Sequence, residues 1–145
     1  YTAMIDLLTD DELKAVLAYQ IGHIAAKDVR NNMLKAVSKE NAGNAGAAQL
    51  QKVLSMTGDG LGTIVNEAIQ IPYTVDQCKA ADQYACNLLK ANGVAVSNLA
   101  SALKKFAAME AADADETNQA NGIISVASKY NKVNPDNAAR AALVK

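Results

Sequence analysis

The chain has 145 residues, enough for one domain with one hydrophobic core. The net charge of −1 (Lys+Arg 14 against Asp+Glu 15) excludes avid electrostatic binding to nucleic acid or to an anionic membrane. Two prolines, 4% aromatic residues and abundant Ala and Leu argue against an aromatic-rich β-sandwich and favour helices. No stretch is apolar for long enough to predict a transmembrane segment.

The first half of the chain is predicted to begin with a long helix. Thr9 and Glu12 form a capping-box pattern, and apolar residues then recur at helical spacing, which predicts a helix from about residue 10 to residue 38. A break rich in Gly and Asn over Asn41–Gly46 precedes a second helical segment over Ala47–Leu54.

The glycine cluster Thr57–Gly62 follows no predicted strand, so it is interpreted as a kink or loop rather than a phosphate-binding loop. Helix is expected to resume over Leu61–Ile71 and to end before Pro72. Cys78 and Cys86 fall on the next predicted helix, where about 12 Å of rise separates them. That distance is too long for a disulfide bond.

Capping and break signals delimit the remaining predicted helices. Thr74 and Gln77 repeat the capping-box pattern, and Asn92–Gly93 forms the corresponding C-cap. Ser97 is predicted to cap a helix that ends near Ala112.

The acidic stretch Asp113–Thr117 separates that helix from one that ends at Tyr130, and Pro135 is placed at the first position of a final helix. No strand pattern and no repeat of fixed period occurs in the sequence. The predicted fold is therefore mainly α.

One stretch of the first helix suggests chemistry. Zincin peptidases carry the motif HExxH, in which two histidines on one helix face bind Zn²⁺ and the glutamate is the general base. The same frame here reads Tyr19-Gln20-x-x-His23, so Tyr19 stands at the first histidine position and Gln20 at the base. Taken alone, a single histidine on a helix is more often structural than a ligand.

The wider sequence resembles family forty-eight of the metallopeptidases, the HtpX-like and periplasmic lipoprotein-type zinc enzymes. Three segments carry the resemblance: Met4–Leu13 followed by Ile21-Gly22-His23, then Cys78-Lys79-Ala80-Ala81-Asp82, then Asn134-Pro135 with Arg140. The resemblance implies that Cys78 takes the place of the glutamate ligand and that Asp82 matches the aspartate that orients a ligand histidine. It also implies that Asn134 replaces a histidine near the oxyanion, whereas Pro135 and Arg140 are kept.

The resemblance implies a single zincin-like helical domain over residues 1–145 that largely lacks the N-terminal sheet region of the family. We therefore expect the chain to be a fragment or a processed form whose leader has been removed. The family also implies a location in the bacterial cell envelope. Because large apolar side chains are sparse, exposed apolar stripes are expected to meet a protein partner or a second copy.

The leading functional prediction is a non-catalytic pseudopeptidase that acts by binding or assembly. An amide at Gln20 cannot accept a proton from water, and no catalytic residue is expected at Gln20, Asn134 or Arg140. In this interpretation Tyr19 closes the site by packing and bonds Asp82, and no cofactor is expected.

Two alternatives remain open at this point. The first is a metal- or cofactor-binding protein that uses His23 and Cys78, with Tyr19 as a third donor and zinc or another metal as the ion. The second is a residual zinc peptidase.

Overall fold

The computed structural model describes residues 2–40, 71–113 and 130–144. Six helices have both ends within these ranges: α1 (Thr2–Leu7), α2 (Asp10–Ala25), α3 (Asp28–Glu40), α4 (Val75–Ala91), α5 (Ser97–Asp113) and α6 (Asn137–Leu143). Residues 130–133 are also helical, and no residue in the described ranges lies in a strand. The prediction of a mainly α fold is therefore confirmed.

The chain divides into two compact units. One consists of Tyr1–Ala26 and Pro72–Lys145, and the other of Lys27–Ile71. The second unit contributes α3 to the described structure. Every residue of the candidate site belongs to the first unit.

The capping boxes predicted at Thr9 and Thr74 are both present. The backbone N–H of Glu12 donates to Thr9 Oγ1 (3.3 Å), and the Thr9 N–H donates to Glu12 Oε2 (2.8 Å). At α4, Gln77 and Thr74 exchange the equivalent hydrogen bonds (3.2 and 2.9 Å). Each box satisfies N–H groups that a helix start leaves without intrahelical partners, which explains why α2 and α4 begin where they do.

The prediction of one helix from residue 10 to 38 is wrong. α2 ends at Ala25, and Lys27 adopts a left-handed conformation (φ 57°) before α3 begins at Asp28. Left-handed conformations are usually signalled by Gly or Asn. A lysine gives no such signal, so the apolar periodicity predicted a single helix across the break at Lys27.

The predicted ends of the later helices are a mixture of successes and errors. Gly93 has φ 68° and follows α4 as expected, and α5 covers the segment predicted from Ser97. Pro135 is not in the first turn of the final helix, because α6 begins at Asn137 behind a left-handed Asp136 (φ 59°). Residues 130–133 are helical, so helix extends past the end predicted at Tyr130.

Several predicted segments lie outside the described residues. They are the break at Asn41–Gly46, the helix Ala47–Leu54 and the glycine cluster Thr57–Gly62, together with nearly all of Leu61–Ile71 and Asp113–Thr117.

The core of the first unit lies where α2, α4 and α5 meet. Its buried apolar side chains include Val16, Ala81, Ala85, Leu89, Leu99, Leu103 and Phe106. Cys78 and Cys86 are both buried and both free, as their spacing predicted. Within the described residues, no helix combines the length and apolar character needed to cross a bilayer.

Candidate active-site region

The buried face of α2 brings the degenerate motif against α4. Tyr19, Gly22 and His23 are buried, and Gly22 and His23 follow Tyr19 by three and four residues, so all three lie on one side of the helix. A Cβ atom at Gly22 would lie 2.9 Å from Ala81 Cα and 3.0 Å from its carbonyl oxygen. Glycine therefore permits a backbone approach that places position 23 beside the Cys78–Asp82 turn of α4.

Tyr19 is held by a residue far away in sequence. Its side chain is fully buried, and its hydroxyl donates a hydrogen bond to Asn134 Oδ1 (2.9 Å). Asn134 Nδ2 in turn donates to the carbonyl of Tyr130 (2.8 Å). The resemblance implies that both Tyr19 and Asn134 replace a histidine of the family, and these two residues are hydrogen-bonded to each other.

Asp82 is not the partner of the Tyr19 hydroxyl, so the predicted Tyr19–Asp82 bond is wrong. Its two carboxylate oxygens instead accept from Arg140, with Nε to Oδ2 at 2.8 Å and Nη2 to Oδ1 at 2.7 Å. The Arg140 guanidinium carbon also lies 4.3 Å from the centre of the Tyr19 ring. The planar guanidinium matches the carboxylate in a bidentate pair, which a lysine could not form. We call Tyr19, Asp82, Asn134 and Arg140 the Tyr19 cluster.

Two buried asparagines extend the Tyr19 cluster toward α5. Arg140 Nη1 donates to Asn137 Oδ1 (3.0 Å), and Asn137 Nδ2 donates to Asn131 Oδ1 (2.7 Å). Asn131 Nδ2 then donates to the carbonyl of Phe106 (2.9 Å). Sequence reasoning missed both asparagines, since an asparagine near a helix end is ordinarily read as a cap.

His23 is enclosed by aromatic rings. Its imidazole stacks on Tyr73, with centroids 3.7 Å apart and an interplanar angle of 8°, and it meets the Tyr19 ring edge-on at 4.6 Å. The Tyr73 N–H donates to the carbonyl of Val133 (2.9 Å), which fixes this ring beside the 130–133 helical turn. Tyr73 carried no motif signal in the sequence and was missed.

Burial governs the charge states of the tyrosines. Burial raises the pKa of Tyr19, the neighbouring Tyr130 and Cys78 raise it further, and Arg140 opposes them only in part. Burial likewise raises the pKa of Tyr130. Burial alone would lower the pKa of Arg140, but the hydrogen bonds and charge of Asp82, together with the neighbouring Tyr19 and Tyr130, outweigh burial and raise it. The region therefore contains neutral phenols beside one paired cation.

These side chains do not fit a catalytic zinc ion. Gln20, at the position of the base, is a partly buried amide, and the Tyr19 hydroxyl is the donor of a hydrogen bond. Both Asp82 oxygens accept from Arg140. Among the residues of the three described ranges, no group of three or more His, Cys, Asp or Glu could hold a metal ion. The donor set also departs from the histidine and carboxylate ligands of catalytic zinc.

Comparisons with known proteins agree with the resemblance to the metallopeptidases of family forty-eight. Metalloprotease LoiP of Escherichia coli (strain K12) is 28% identical over 110 residues, which are 76% of this chain and 44% of that protein. Metalloprotease YcaL of the same strain is 26% identical over 110 residues, which are 76% of this chain and 43% of that protein. The chain therefore spans less than half the length of these curated relatives. No solved structure matches the chain. Since the sequence model of Peptidase family M48 matches residues 1–145, the chain belongs to peptidase family M48.

Proposed function

We propose that this chain is a non-catalytic member of its family, a pseudopeptidase that acts by binding or assembly. The observation that carries the proposal is the buried hydrogen bond between Tyr19 and Asn134. Tyr19 stands at the position of the first histidine ligand in the HExxH motif. Its hydroxyl is already engaged by Asn134, which belongs to the third segment that resembles the family.

The residue at the base position supports the same proposal. Hydrolysis by the zincin mechanism needs a carboxylate that takes a proton from a metal-activated water. The amide of Gln20 cannot do so near neutral pH. Among the described residues of the candidate site, the buried side chains hydrogen-bond one another, and none takes the role of general base.

An apolar stripe on α2 supports a binding role. Leu17, Ile21 and Ile24 are 55%, 43% and 74% exposed. They recur at intervals of four and three residues, on the side of α2 opposite Tyr19 and His23. Such a stripe is typical of a surface that meets another protein or a second copy. We place this interaction in the bacterial cell envelope, on the strength of the family resemblance.

The metal-binding alternative has narrower support. Tyr19, His23 and Cys78 do lie in one buried region, as the resemblance implied. However, the Tyr19 hydroxyl donates a hydrogen bond to Asn134 Oδ1, and a phenolate ligand would have to give up that bond. A residual zinc peptidase would require the same change and also a base.

A peptidase assay tests the proposal directly. We would incubate the purified chain with casein and with a quenched fluorescent peptide library, adding Zn²⁺ or EDTA, with LoiP as the positive control. We expect no turnover that EDTA inhibits. Turnover that is sensitive to EDTA and lost in His23→Ala would contradict the proposal.

Light scattering at several protein concentrations tests the binding surface. If the α2 stripe mediates self-association, Ile21→Glu should shift the mass toward the monomer, whereas Ala80→Glu on the exposed side of α4 should not. If the wild type is a monomer throughout, the interpretation as a self-association surface is wrong.

A further inference from the structure

We infer that the Tyr19 cluster is a clamp that holds the first unit together without a metal ion and is closed to divalent cations. This inference rests on the proposed function, because it explains how a metallopeptidase fold stays closed when its chemistry has been removed.

The Tyr19 cluster joins three separate parts of the chain. Tyr19 belongs to α2, Asp82 to α4, and Asn134 and Arg140 to the C-terminal region. The Tyr19–Asn134 bond spans 115 residues and the Arg140–Asp82 pair spans 58. Crosslinks of this reach are what a buried metal ion supplies in a metal-stabilised fold. Here hydrogen bonds and one ion pair form them.

The polar groups at the centre of the cluster satisfy one another. The Tyr19 hydroxyl has its acceptor, the Asn134 amide has both an incoming donor and an acceptor of its own, and Asp82 receives two N–H groups. A cation that recruited Tyr19 or Asp82 would have to break at least one of these buried bonds. Groups released in this way would be left buried without partners, which is costly.

Charge balance opposes a divalent cation as well. The Arg140 guanidinium and the Asp82 carboxylate are both buried and neutralise each other. The guanidinium carbon lies 4.3 Å from the Tyr19 ring centre, so a second cation at Tyr19 would face a fixed positive charge at short range. A zinc ion there would add two positive charges to a region whose existing charges already sum to zero.

The first experiment uses the wild-type chain. We would record thermal unfolding after EDTA treatment and after addition of Zn²⁺, and measure Zn²⁺ affinity by competition with a chromogenic chelator. The inference predicts the same melting temperature under both conditions, to within about 1 °C, and no micromolar site. Both results are independent of any peptidase activity.

A matched pair of variants tests the hydrogen bond itself. Tyr19→Phe removes one buried hydroxyl and leaves Asn134 Oδ1 without its donor, so we expect the melting temperature to fall by roughly 3–10 °C. Tyr84→Phe makes the same chemical change at an exposed tyrosine of α4 and should leave the melting temperature within about 1 °C. Adding Asn134→Ala to Tyr19→Phe should lower the melting temperature by less than the sum of the single effects.

One zinc ion per chain that raises the melting temperature, and is lost in Cys78→Ser, would overturn the clamp. That result would leave a non-catalytic function standing, whereas EDTA-sensitive hydrolysis would contradict the proposed function itself. Equal effects of Tyr19→Phe and Tyr84→Phe would also overturn the clamp. If Tyr19→Phe fails to fold, the zinc and EDTA measurements on the wild type still decide the question.

Discussion

α2 carries a polar cluster at each end, and the two are stabilised differently. Near its start, Glu12 accepts from Lys105 Nζ (2.7 Å) and Ser101 Oγ (2.6 Å) on α5, and we call these three residues the Glu12 cluster. Near its end lies the Tyr19 cluster. The Lys105 side chain is 35% exposed, whereas that of Arg140 is 2% exposed. Both carboxylates are largely buried, with the Glu12 side chain 5% and the Asp82 side chain 11% exposed, so the two clusters differ in the access of water to the cation.

The two ion pairs are therefore expected to contribute differently to stability. A pair whose cation is partly exposed contributes less, since water already hydrates that cation and screens its charge. When both ions are buried, removal of one leaves the other without a partner in a medium of low dielectric constant. Substitutions in the two clusters of α2 therefore test how far the exposure of the cation determines the contribution of an ion pair.

The largest effect is expected from breaking the Arg140–Asp82 pair. Arg140→Met removes the cation and leaves the buried Asp82 carboxylate without its bidentate partner, which should cost about 3–5 kcal/mol of unfolding free energy in urea denaturation. Lys14→Met breaks the exposed pair with Asp11 (2.7 Å) and should produce no measurable change. If the two variants were equally stable, the Tyr19 cluster would have to be accessible to water.

The Glu12–Lys105 pair should make the stability of the chain depend on pH. Burial opposes ionisation of Glu12, but the hydrogen bonds from Lys105, Ser101 and Thr9 outweigh it and lower its pKa from 4.5 to about 2. The stabilisation is therefore complete above pH 4.5 and is lost as the pH falls toward 2. We expect about 2 kcal/mol, discounted for the solvent that reaches Lys105.

Comparison with Glu12→Gln isolates this contribution from that of the other carboxylates. The difference in unfolding free energy between wild type and variant should shrink between pH 5 and pH 2.5. A constant difference over that range would show that Glu12 has its ordinary pKa in the folded chain.

The close helix approach beside the Tyr19 cluster gives the third prediction. Gly22→Ala would force a Cβ against the Ala81 backbone at 2.9 and 3.0 Å, and should cost about 1–2 kcal/mol despite the better helix propensity of alanine. Gly93 is the matched glycine, because its surroundings are open and only its φ of 68° is demanding. Asparagine, which tolerates that conformation, should be accepted at position 93 and not at position 22. Equal tolerance at both sites would contradict the close approach.

The two capping boxes give the smallest effects. Thr9→Ala and Thr74→Ala each remove a side-chain acceptor for one N–H group, at a cost of about 0.5–1.5 kcal/mol. Thr9→Ala should be the more costly, since its box includes Glu12 and so supports the Glu12 cluster. Urea denaturation of both variants measures this order, and the reverse order would mean that the Glu12 cluster does not depend on the cap.

The two clusters also differ in how far the sequence could predict them. Thr9 with Glu12, and Thr74 with Gln77, are patterns three residues long, and the rules that recognise them are local. Those helix starts were predicted correctly. The break at Lys27 was missed because its left-handed conformation carries no residue signal.

The Tyr19 cluster could be predicted only in part. The resemblance implied that Tyr19, His23, Cys78 and Asp82 lie in one region, because it supplies a fold and not merely a pattern. It did not give the partners, and the predicted Tyr19–Asp82 bond was wrong. Tyr19 and Arg140 are both donors that could pair with Asp82, and only packed coordinates show which donor reaches which acceptor.

The sequence separation of 115 between Tyr19 and Asn134 has a consequence for the folding kinetics of the chain. Closing so long a loop costs entropy before the bond can form, so contacts of this kind tend to form late, after the capped helices. Tyr19→Phe should then accelerate unfolding and leave the refolding rate almost unchanged in a stopped-flow chevron. The lifetime of the native state, and with it resistance to proteases, would then depend on one phenolic hydroxyl, at the position that the family resemblance assigns to a metal ligand.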